Sequence, residues 1–167
     1  MVFNKSDNQI LIAGTPLTVM CMAEGADLAP GLFVKKGTSD YEIKLADAGD
    51  KPWAICMEYF ADDVMPGDTY DDDARVRVAF GPGSVVKARL ASGQNVATGA
   101  FLVPAADGTL QAAAVLTVDS GETPVTSGSA NGAIIGGDIG DGYIIAQAVE
   151  SVDASGAEAW IAVKLLI

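Results

Sequence analysis

The chain has 167 residues and a formal net charge of −12, from 22 acidic residues against ten basic ones and no histidine. An acidic surface repels nucleic-acid phosphates and anionic lipid, which makes DNA, RNA and membrane surfaces poor partners. Without histidine, the usual general base and the Ser-His and Cys-His nucleophile arrangements are out of reach, so no catalytic set and no enzyme is expected.

Residues 1–16 carry Val2, Phe3, Ile10, Leu11 and Ile12 scattered among Asn, Asp and Gln. They read as a first strand or as an extended arm that packs on a neighbouring subunit. Asp7, Asn8 and Gln9 stand where a signal peptide would be turning apolar, and Gly14-Thr15-Pro16 interrupts the apolar residues after them. No secretion signal is expected. No uninterrupted apolar run approaches the ~18 residues a bilayer span needs.

Short β-like runs then succeed one another: Leu17–Met22, Leu32–Lys35, Tyr41–Leu45, Trp53–Tyr59 and Ala74–Phe80. Turn residues separate them at Pro30-Gly31, Gly49-Asp50 and Pro66-Gly67. Cys21 and Cys56 fall inside two of these runs, without a CxxC spacing, and read as buried free thiols. The stretch Ala61–Asp73 holds six aspartates but lacks the glycine and closing glutamate of an EF-hand, so it reads as a solvated acidic loop. Neither a metal nor a cofactor is expected.

Residues 83–113 are the most regular part of the chain. Val86, Ala88 and Leu90 alternate with Val85, Lys87 and Arg89, the period-two pattern of a half-buried strand. A turn at Ser92-Gly93 leads to Phe101–Val103 behind Gly99, and a turn at Ala106-Asp107-Gly108 leads to Thr109–Ala113. Arg75 and Arg77 share one strand face, as do Lys87 and Arg89. They read as an exposed face balanced by cross-strand carboxylates or as a docking stripe. Trp53 reads as core packing or as a subunit contact.

Two echoes run through the chain. Leu28–Val34 resembles Val96–Val103 at an offset of 68 residues, and Trp53–Glu58 resembles Ile144–Glu150 at an offset of 92. The unequal offsets do not make a clean repeat, and either a duplicated half-barrel or a coincidence of β-pattern fits. Residues 119–142 form a Gly/Ser-rich stretch without periodicity and read as a long loop. Tyr143–Val149 and Ala159–Leu166 close the chain as strands.

Many short strands with closely spaced turns predict an all-β barrel or sandwich with little helix: one domain over 17–167, preceded by an arm. The stretches Gly14-Thr15-Pro16-Leu17, Pro30-Gly31-Leu32-Phe33-Val34, Lys51–Glu58, Val85–Ala113 and Tyr143–Glu150 together resemble the head decoration (capsid cement) proteins of tailed double-stranded DNA viruses. The resemblance implies a homotrimeric β-barrel, made in the host cytoplasm and seated on the outer capsid surface, with the major capsid protein as partner. Docking would rest on the arm, on apolar strand edges, and on Trp53, Arg75, Arg77, Lys87 and Arg89. The acidic, lysine-poor surface would suit a salt-loving host. A calcium-stabilised surface or adhesion domain is the alternative, and a biotinyl-type carrier fails because Lys87 lies within a strand.

Overall fold

The computed structural model describes residues 9–113 and 143–167. Their strands are short, and hydrogen bonding closes them into two barrels rather than the single one expected over 17–167. The first barrel comprises β2 (Leu17–Ala23), β3 (Phe33–Lys36), β4 (Glu42–Leu45), β5 (Ala54–Cys56) and β6 (Arg75–Phe80), closed in the order β2-β4-β3-β5-β6. The second comprises β7 (Val85–Leu90), β9 (Phe101–Pro104), β10 (Leu110–Ala112), β11 (Ala146–Ala148) and β13 (Ala159–Leu165), and β13 returns to β7. Outside the barrels, β1 (Leu11–Ala13) lies along β7, and β8 (Gln94–Val96) pairs with β12 (Val152–Ala154). Among the described residues helix is confined to two single 3-10 turns, Phe60–Asp62 and Ala106–Gly108. Alternation in a sequence sets which face of a strand is apolar but not which strand lies beside it. That is why two circuits read as one.

The two barrels are the same fold twice. Both begin with a strand that runs parallel to the third strand of its barrel and antiparallel to the last. Their registers coincide without a slip. Val19↔Val78 corresponds to Val86↔Val163, and Ala23↔Ile43 to Leu90↔Leu110. Lys35↔Lys44 corresponds to Val103↔Gln111, Phe33↔Ile55 to Phe101↔Gln147, and Cys56↔Val78 to Ala148↔Val163. The echo at 68 residues therefore superposes β3 on β9, and the echo at 92 superposes β5 on β11. The difference between the offsets falls between β10 and β11, the interval that contains residues 114–142. Of the two readings of the echo, duplication is the one the topology bears out. The Gly/Ser-rich stretch 119–142 itself lies outside the described residues.

Burial follows the pattern. Cys21, Ala23, Ile43, Cys56, Val76 and Val78 fill the first barrel with Tyr70, whose hydroxyl donates to the Met57 carbonyl at 2.6 Å. Val86, Ala88, Leu90, Leu102, Ile161 and Val163 fill the second. This second core runs on between the barrels through Phe33, Ala46, Ile55, Met57 and Ala79. Backbone bonds cross the same seam, Arg89 N–H to the Gly31 carbonyl at 3.1 Å and Gly108 N–H to the Ala46 carbonyl at 2.7 Å. Both cysteines are free and buried as expected, and burial pushes both thiols up from their ordinary pKa.

Candidate interaction surface

Where the chain meets its surroundings is decided by strands that run past their neighbours. β2 pairs with β6 along Leu17–Met22, but with β4 only at Met22 and Ala23. Among the described residues its first half therefore has a partner on one side only, and its side chains lie open on both faces: Leu17 is 65% exposed, Val19 42% and Met20 40%. Leu17 lies opposite Phe80, whose ring packs on Trp53 with centroids 5.3 Å apart. The Lys36 ammonium sits 3.6 Å above the Trp53 ring, and Lys51 lies 5.8 Å from the ring of the exposed Tyr143. An edge of Leu, Val and Met, an aromatic pair and cations held over rings together have the composition of a protein-binding surface, where aromatic residues and methionine are enriched.

The residues singled out by sequence are dispersed. Val2 and Phe3 lie outside the described residues. Ile10 is fully buried, with its N–H donating to Glu58 Oε2 at 3.0 Å and its carbonyl accepting from the Lys87 N–H at 2.7 Å. Leu11 packs against the second core, and Ile12 is half-buried beside it. Leu11–Ala13 are thus a strand of this chain's own sheet and not a free arm, because Ile10 and Leu11 find a core at home.

The expected cationic stripe does not form. Arg75 and Arg77 stand on β6 and the other two cations on β7, and these strands belong to different barrels. Lys87 is only 5% exposed. β1 lies along that edge, and the residue opposite on β13, Ala162, is fully buried too, so the outer side of the sheet is covered there. Arg89 is committed to Glu158 at 3.3 Å and to the Trp160 ring at 5.1 Å. Arg75 is exposed, 4.0 Å from Asp62, and Arg77 is half-buried opposite Met20. Of the predicted positions, Arg77 lies opposite Met20 on the β6 side of β2, and Trp53 is linked to the start of β2 only through Phe80. The open β2 edge is visible only in the pairing, where β4 reaches β2 at Met22 and Ala23.

The acidic segment faces solvent, and its carboxylates hold backbone N–H groups of turns inside and outside it. Asp72 accepts from the Gly25 N–H at 2.8 Å and Asp68 from the Met65 N–H at 2.9 Å. Among the described residues, no three Cys, Asp or Glu side chains converge as metal ligands.

No protein-family model matches the chain, and no curated protein matches it in sequence. Among solved structures, the N base of head fiber gp8.5 of bacteriophage phi29 is similar, with a TM-score of 0.51 and 14% identity over 90% of this chain and 94% of that one. Such coverage takes in both barrels. At this identity what is shared is the fold.

Proposed function

We propose that this protein is a non-enzymatic structural component of a tailed-phage virion, bound to the outer surface of the head, where it stabilises the shell as a decoration protein. The observation that supports this reading is the shared fold with the base of a phage head fiber across both barrels. The surface agrees with it. An open apolar edge, with aromatic and cationic residues around it, is what a chain of charge −12 needs in order to attach elsewhere. The partners are the major capsid protein and further copies of the chain, assembled as a homotrimer in the host cytoplasm before joining the head. Attachment then works by avidity: each subunit makes a modest contact, and linked subunits gain affinity through effective concentration.

The test is direct. Purified protein is mixed with expanded, undecorated heads of the encoding virus and tracked by co-sedimentation and cryo-electron microscopy. Saturable binding at a fixed ratio to the capsid protein, with heads that resist heat or chelator better once coated, is the expected result. Absence of saturable binding would overturn the reading.

A further inference from the structure

The duplication shows what is missing from the open edge of β2. In the second barrel the corresponding edge belongs to β7, and there β1 fills it: Leu11 lies opposite Val86, Ala13 opposite Val85, and the Lys87 N–H donates to the Ile10 carbonyl at 2.7 Å. The common register equates Val85, Val86 and Lys87 with Thr18, Val19 and Met20. On β2 the Met22 N–H points toward the β4 side, donating to the Tyr41 carbonyl at 2.9 Å. Strand alternation therefore turns the Thr18 and Met20 N–H and carbonyl groups the same way. Among the described residues, no strand pairs with them there. The difference shows in burial, with Val86 fully buried under β1 and its equivalent Val19 42% exposed.

We propose that Thr18–Met20 is an acceptor edge for strand addition, filled by an extended segment of a second copy of this chain. Pairing in this way satisfies backbone groups that water otherwise holds and covers Leu17, Val19 and Met20. Two observations select a copy of the chain as the occupant. The segment that complements the equivalent edge is this chain's own Ile10–Ala13, uncharged and apolar. The edge itself carries no charge, and Arg77 stands opposite Met20 on β6, so two molecules of charge −12 meet there over an uncharged strand. Each copy then accepts one strand and donates one, a head-to-tail contact between copies.

The experiment needs the full chain alone and does not depend on head binding. Sedimentation velocity is run on the wild type and on Met20→Pro, which removes an N–H that no described strand uses and is tolerated at a strand edge. Met20→Lys, on an exposed position, is the second variant, and far-UV circular dichroism and melting check the fold of both. The expected result is an oligomeric wild type, with association weakened roughly tenfold or more in folded variants. In a third arm, Thr18→Cys supplies an accessible thiol, since both native cysteines are buried. Labelling it with a bulky maleimide should block association as well. A monomeric wild type, or folded variants that keep the wild-type oligomer, would overturn the proposal. So would a monomer whose Met20 variants fail only in binding heads, because the edge would then belong to the capsid protein.

Discussion

The two barrels share order, register and direction of every strand, yet they are held together differently. The second is sealed by apolar packing, and its core extends across the seam to five side chains of the first, among them Phe33 and Ile55. The first has the smaller cluster, two buried thiols among its members, and a rim of ion pairs: Lys35 with Asp47 and Asp50, and Lys44 with Glu24. Among the described residues, one barrel also carries a covering strand that the other lacks. A duplicated fold thus separates what the topology demands from what each copy acquired. Closure and register are common property, whereas edge cover and rim charge are particular to each copy and mark where each meets solvent or a partner.

The largest effect that would sharpen this contrast lies in the shared core. Leu102 on β9 and Ile161 on β13 are fully buried in the cluster that spans both barrels. Leu102→Ala should cost about 3 kcal/mol of stability through lost transfer energy and the cavity left behind. Because that cluster takes in residues of the first barrel, the loss should lower a single unfolding transition seen by calorimetry. Two separated transitions would break the picture of a continuous core. Val76→Ala, confined to the first barrel, removes fewer atoms and should cost less.

An intermediate effect comes from two equivalent glycines. Gly31 and Gly99 precede β3 and β9 at the same offset, with φ of 88° and 87°. Any side chain is strained in that region, at about 1 kcal/mol or a little more. Space divides them. A Cβ at Gly99 meets nothing within 4 Å, whereas one at Gly31 would overlap the Trp160 ring, with Cη2 only 2.8 Å away. Gly31→Ala should therefore destabilise clearly more than Gly99→Ala in chemical denaturation. Equal losses would mean that Trp160 yields freely and that the seam is looser than its backbone bonds indicate.

These glycines also show how much of the fold is legible in the sequence. Gly31 and Gly99 head the first echo, and period-two alternation locates ten of the strands near their final bounds. The short β8 and β12 escape it because Gln94, Asn95 and Asp153 leave no apolar run to mark them, and β1 is read only as a first strand or an arm. The duplication stays undecided in the sequence because the second copy has a longer interval between its third and fourth strands, and only hydrogen-bond partners reveal that the register is kept. Lys87 misleads for a related reason. Its charge argues for solvent in any local window, while its burial is imposed by β1, which lies more than seventy residues away in the chain. The open β2 edge is not defined by one barrel in isolation. It is defined by comparison with β7.

The smallest effect concerns the rim of the first barrel under acid. Hydrogen bonds from the Lys44 ammonium and then from Thr38 hold the Glu24 carboxyl below its ordinary pKa, and the Lys35 ammonium and then the Asp47 N–H do the same for Asp50. A carboxyl whose pKa is lower in the folded state stabilises above its unfolded value, about 4, and that stability is lost as pH falls through the folded pKa. Acid should therefore weaken these contacts only below about pH 4, and only slightly, because both sites are open to solvent. Lys35, raised chiefly by Asp50, reports the same pair from the alkaline side, its share fading as pH rises through the folded lysine pKa. The check is denaturant midpoints from pH 6 to pH 3 for the wild type and for Asp50→Asn. The variant should be slightly weaker at pH 6, with the gap narrowing as pH falls below about 4. A gap that stays constant with pH would show that the Asp50 carboxylate acts through loop geometry rather than charge, and the rim would cease to be an electrostatic difference between the two barrels.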